Sequence, residues 1–109
     1  MRIAGKCPPE PEELRAASER GFDYVELYLE KHHLDNLGRT MRAIDESPVK
    51  VVSVHTPHVS LDGLGYIVLA DQLASKLDAY LVFHSQFLHH THVPILEDLE
   101  LESEFGYEN

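Results

Sequence analysis

Cysteine occurs once in this chain, and lysine and arginine do not occur at all after Lys76. A single thiol cannot form an internal disulfide, and a chain built without one is expected in a reducing, cytoplasmic compartment. Only 9 Lys and Arg stand against 19 Asp and Glu, for a formal net charge of −10. A phosphate-tracking surface needs clustered cations, so nucleic acid is not the expected partner. The sequence also lacks any apolar run near the roughly 18 residues of a membrane span, and Arg2 is followed by strand-like residues rather than an apolar leader segment. Neither a transmembrane helix nor a secretory signal is expected. With 43% hydrophobic residues, the composition is that of a soluble globular chain. The run Glu97, Asp98, Glu100, Glu102, Glu104 and Glu108 reads as a solvated face.

Three strand-like segments each end on a potential metal ligand: Val51 to His55, Tyr80 to His84, and Phe105 to Glu108. Side chains alternate between faces along a strand. Counting back from each terminal residue groups His55, Ser53 and Val51; then His84, Val82 and Tyr80; then Glu108 and Gly106. The opposite face carries Val52, Val54, Leu81, Phe83, Phe105 and Tyr107, which is the composition of a strand packed on helices. An earlier segment, Asp23 to Leu29, divides in the same way. Val25, Leu27 and Leu29 fall on its apolar side, and Tyr24, Glu26 and Tyr28 on the other.

Helical signals separate these strands. Pro11, Glu12 and Glu13 suit a first helical turn, and Gly21 offers a stop. Leu34, Leu37, Met41 and Ile44 follow helical spacing up to Ser47–Pro48. Tyr66, Ile67, Ala70, Leu73, Ala74 and Leu77 make a third stripe, and a short fourth helix is expected around Pro94 to Leu99. With Met1 to Gly5 as first strand, the order is a strand–helix alternation. That implies an α/β fold with a parallel βα repeat and right-handed crossovers.

A closed barrel of eight βα units takes about 250 residues. The 109 residues here hold about four βα units and a fifth strand, so the expectation is one domain, 1–109, forming half of a TIM (β/α)8 barrel, truncated or joined to a missing C-terminal half. An open half-barrel leaves strand edges and an interior face to cover, which points to a homo-oligomer or to that missing half. In such a sheet the carboxyl ends of neighbouring strands share one rim. There His55, His84 and Glu108 would form a half-open metal site. Two imidazoles and a carboxylate suit Zn²⁺, Mn²⁺, Co²⁺ or Fe²⁺, with Mg²⁺ as a further divalent candidate.

The strings Gly21 to Glu26, Val54 to His58, Val82 to His84 and Gly106 to Asn109 resemble the first half of the xylose isomerase-like barrel superfamily. It comprises sugar and sugar-phosphate isomerases and epimerases together with the endonuclease IV group. The resemblance implies that His55, His84 and Glu108 are metal ligands and that a sugar or sugar phosphate is the substrate class. It also implies that further ligands come from the second half of the barrel. The expected function is therefore a metal-binding, sugar isomerase- or epimerase-like barrel fragment, inactive alone. The alternatives are a non-enzymatic half-barrel assembly module and an endonuclease IV-like DNA-repair fragment.

Other residues are read more plainly. Glu26, inward on the second strand, and His58, in the loop after His55, are candidate substrate-binding residues. Cys7 reads as a structural thiol. His32–His33 and the cluster His89, His90 and His92 read as surface loops, because neither pairs with a second group at a recognised zinc spacing.

Overall fold

The computed structural model describes residues 4–57, 64–83, 103 and 105–107. In chain order the elements are β1 (Ala4–Cys7), α1 (Pro11–Glu19), β2 (Tyr24–Tyr28), α2 (Lys31–Asp35), α3 (Leu37–Asp45), β3 (Lys50–His55), α4 (Leu64–Leu77), β4 (Tyr80–Phe83) and β5 (Phe105–Tyr107). All described strand pairs are parallel, and the sheet order β1-β2-β3-β4-β5 repeats the chain order. The fold is α/β with a parallel βα repeat. Because the order never reverses and parallel crossovers are right-handed, successive helices fall on one face of the sheet.

That face is the core. Cys7, Val25, Leu27, Val54, Leu81 and Phe83 are buried there in one cluster with Leu14 and Ala17 of α1 and with Ile67, Ala70, Leu73 and Ala74 of α4. α1 begins with Pro11 at its first turn, where the missing amide would lack a helical partner anyway. It ends where Gly21 takes φ +92°, and the amides of Gly21 and Phe22 return to the carbonyls of Ser18 and Ala17. The apolar stripe of α4 lies where its spacing predicts, with Ile67, Ala70, Leu73 and Ala74 fully buried. Among the described residues no helix is long and apolar enough to cross a membrane.

Three local expectations change. The spacing from Leu34 to Ile44 predicts one helix, yet the chain forms two, broken at Asn36, whose backbone leaves the helical region at φ −121° and ψ 53°. Its side-chain amide donates to the His32 carbonyl, 3.1 Å, and its own carbonyl accepts from the Thr40 amide. The first strand, expected over residues 1–5, is described as Ala4–Cys7, with residues 1–3 outside the described set. In β3 strict alternation fails at one point. Val25 is level with Val51 but Glu26 with Ser53, so Val52 is an extra residue and Val51 turns to the buried face beside Val25. The helix expected around Pro94 to Leu99 lies outside the described residues.

Candidate metal centre

Opposite the core, the sheet presents a polar and aromatic face. Neighbours at the same level of a parallel sheet point the same way, so Lys6, Glu26, Ser53 and Tyr80 form one row across four strands. Two residues further along, Tyr28, His55, Val82 and Gly106 form the next row, at the carboxyl rim. Tyr28 and Tyr80 are the exposed large hydrophobic side chains of the described chain.

Within this face Ser53 Oγ donates to Glu26 Oε1 at 3.0 Å and so fixes the carboxylate. His55 Nε2 lies 3.7 Å from the same oxygen, too far for a hydrogen bond. The His55 side chain is 13% exposed, and its Nε2 is buried with no hydrogen-bond partner among the described residues. A buried imidazole nitrogen without a partner is unfavourable by about 1–3 kcal/mol and calls for an explanation. Two donors held about 2.1 Å from one tetrahedral ion stand roughly 3.4 Å apart, close to the separation seen here. The pair therefore fits a divalent ion with little adjustment.

Among the expected ligands, His55 and the candidate substrate residue Glu26 are brought together on this face. His84, Glu108 and His58 lie outside the described residues. Val82 and Gly106, which precede His84 and Glu108 by two positions, are level with His55.

A second group forms where sequence reading expected a surface loop. Glu10, His32 and His33 offer ligand atoms all within 4.8 Å of one another, a grouping able to hold a metal ion. His33 is buried, not looped out, and lies in α2. Its Nε2 is 2.9 Å from Glu10 Oε2, and its Nδ1 accepts the Glu30 amide at 2.9 Å. Thr40 Oγ1 donates to the His33 carbonyl at 2.7 Å and ties α3 to the same point. Glu10 follows β1 and His33 follows β2, so the adjacency of those strands sets their loops side by side at the carboxyl rim. Only the sheet order carries that signal, since the two residues are 23 apart in the chain.

Two acidities at this end are shifted. Burial, and then the charge of Glu13, pushes the Cys7 thiol above its ordinary value, so the expected structural cysteine is also a poor nucleophile. The Tyr28 hydroxyl is pushed up by desolvation and by Glu13, Cys7, Glu10 and Glu30, which keeps it a neutral donor at the rim.

Comparison with protein-family models, curated proteins and solved structures found no match in any of the three.

Proposed function

We propose that this chain is the metal-binding first half of a βα barrel, of the sugar isomerase and epimerase type, and that it is inactive until further ligands complete its centre. The observation that carries this reading is His55 Nε2, buried without a partner 3.7 Å from Glu26 Oε1 on the face opposite the helices. The half-barrel part is supported by a parallel sheet whose order follows the chain without reversal, since one-sided helices curl such a sheet toward closure.

In this reading His55, His84 and Glu108 are the ligands. Glu26, fixed by Ser53, either joins them or orients what binds. A bound divalent ion would supply Lewis acidity toward a hydroxyl or carbonyl oxygen of a sugar. Around it, His55 gives a ring nitrogen, Glu26 a carboxylate beside it, and Tyr28 stands level with His55 at the rim. The reading as an assembly module draws on the exposure of Tyr28 and Tyr80 on the face opposite the helices.

Metal analysis of the purified chain, with His55→Ala and His84→Ala alongside, tests this. Each variant is expected to bind about one divalent ion fewer than the parent chain. Unchanged stoichiometry in both would remove the proposed centre.

A further inference from the structure

The Glu10–His32–His33 group stands apart from the sheet face and does not depend on the reading above. It opens onto a cleft of about 480 Å³ lined by residues of the β1–α1 loop, α1, α2 and α3. Glu10 and His32 are exposed side chains, whereas His33 is 5% exposed and anchored on both ring nitrogens.

The two contacts of His33 fix its tautomer. The Glu30 amide can only donate, so Nδ1 must accept, and in the neutral ring the proton sits on Nε2 and is donated to Glu10. A metal ion at Nε2 needs the lone pair that this proton occupies. Coordination therefore moves the proton from Nε2 to Nδ1, with no net proton gained or lost. Nδ1–H then faces the Glu30 N–H, and that contact at the start of α2 must open.

We propose that Glu10, His32 and His33 form a Zn²⁺ site whose occupation switches the His33 tautomer and releases the Glu30 amide from α2. The donor set favours zinc or a similar transition ion over Mg²⁺ or Ca²⁺, which prefer all-oxygen shells. Three protein donors leave a fourth position for water on the cleft side. The geometry needs modest closure: His33 Nε2 and Glu10 Oε2 are already 2.9 Å apart, and the set spans 4.8 Å against about 3.4 Å for tetrahedral donors. His32 is free to supply the movement, with its side chain 62% exposed and its ring centroid 4.0 Å from that of His33. Its Nδ1 lies 3.5 Å from Glu30 Oε2, an arrangement that leaves Nε2 to the ion.

Opening the Glu30 contact costs about a factor of five in an equilibrium, a penalty that coordination through three donors has to exceed.

The test is a Zn²⁺ titration of the His55→Ala chain, in which the sheet-face site is disabled, followed by NMR of the backbone amides and imidazole nitrogens. The expected result is that His33 passes from the Nε2–H to the Nδ1–H form and the Glu30 amide shifts, while Mg²⁺ produces neither change. Adding His32→Ala, at an exposed position that leaves the core intact, should weaken zinc binding read at His33 at least about ten-fold. Glu10→Gln, which still accepts from His33, should do the same. If His33 keeps its Nε2 proton at saturating zinc, or His32→Ala leaves the titration unchanged, the site is overturned.

Discussion

Glu26 and His55, on adjacent strands, meet on the face opposite the helices with Oε1 and Nε2 3.7 Å apart, and among the described residues only the carboxylate of the two has a hydrogen-bond donor, Ser53. The carboxylate is fixed and the imidazole nitrogen is left available. Glu26→Gln retains an oxygen to accept from Ser53 but removes the charge beside His55. Divalent-ion affinity at His55 should fall about 10–100-fold while thermal stability barely changes. Calorimetric titration measures the first and thermal unfolding the second. Equal affinity in both proteins would exclude Glu26 from the centre.

Cys7 should behave as a masked thiol. Burial and Glu13 raise its pKa in the fold, so the neutral thiol is the favoured native form. The resulting stabilisation is fully present below the unfolded thiol's ordinary value and is lost as pH rises through the folded value. Alkylation by iodoacetamide at pH 8 should be at least about ten-fold slower in the native chain than in urea. Cys7→Ala should flatten the alkaline fall in stability. Native and unfolded rates that agree would contradict the buried placement.

Much of the fold is legible because it is written in period and punctuation. Leu81 and Phe83 alternate onto the core, Ile67 to Leu77 keep helical spacing, and Gly21 stops α1. The break at Asn36 is not legible, because Leu34, Leu37, Met41 and Ile44 keep apolar spacing straight across it, and the side chain that interrupts the helix is a local hydrogen bonder. Nor is the bulge at Val52, where one valine in a run of apolar residues can face either way at little penalty. For the sites, His55 and Glu26 follow from strand phase, whereas the pairing of His33 with Glu10 depends on which strands are neighbours. That relationship exists only once the sheet order does.

Gly5 is held to glycine by a neighbour rather than by its backbone. A Cβ there would stand 2.9 Å from Phe22 Cδ2 and 3.1 Å from Cγ, the root of a ring packed against the core. Gly5→Ala should destabilise the chain by about 1–3 kcal/mol, as overpacking does. Denaturant unfolding would show a lower midpoint with an unchanged slope. The second variant Phe22→Leu should recover part of the loss, since it removes the opposing ring.

Asp71 ties α4 to the segment entering β5. Its side chain is buried, Oδ1 accepts the Ser103 amide at 2.9 Å, and its carbonyl accepts the Ser103 hydroxyl at 3.0 Å. Asp71→Ala leaves a backbone donor without its acceptor, and a loss of about 1–3 kcal/mol is expected. Asp71→Asn keeps the oxygen and should retain most of the stability. Hydrogen exchange at the β4–β5 amides would rise in the alanine variant first. A uniform rise across all strands would mean that Asp71 supports the whole core rather than this one junction.

Association is the expected response to the exposed tyrosines on the face opposite the helices. Tyr28 and Tyr80 remain 41% and 42% exposed on it, beside a row that holds Lys6, Glu26 and Ser53. β1 and β5 stand at the edges of the described sheet, where unpaired main-chain groups favour a further strand. The net charge of −10 opposes approach of like copies, yet it is screened beyond about 8–10 Å at physiological salt. Self-association should therefore strengthen as salt is raised from low to physiological concentration. Tyr28→Ser together with Tyr80→Ser should weaken it if the face is the contact, and leave it unchanged if the edges are. Sedimentation equilibrium over micromolar concentrations separates these cases. A monomer at every salt concentration would show that this face needs no second copy, and would count against the half-barrel reading itself.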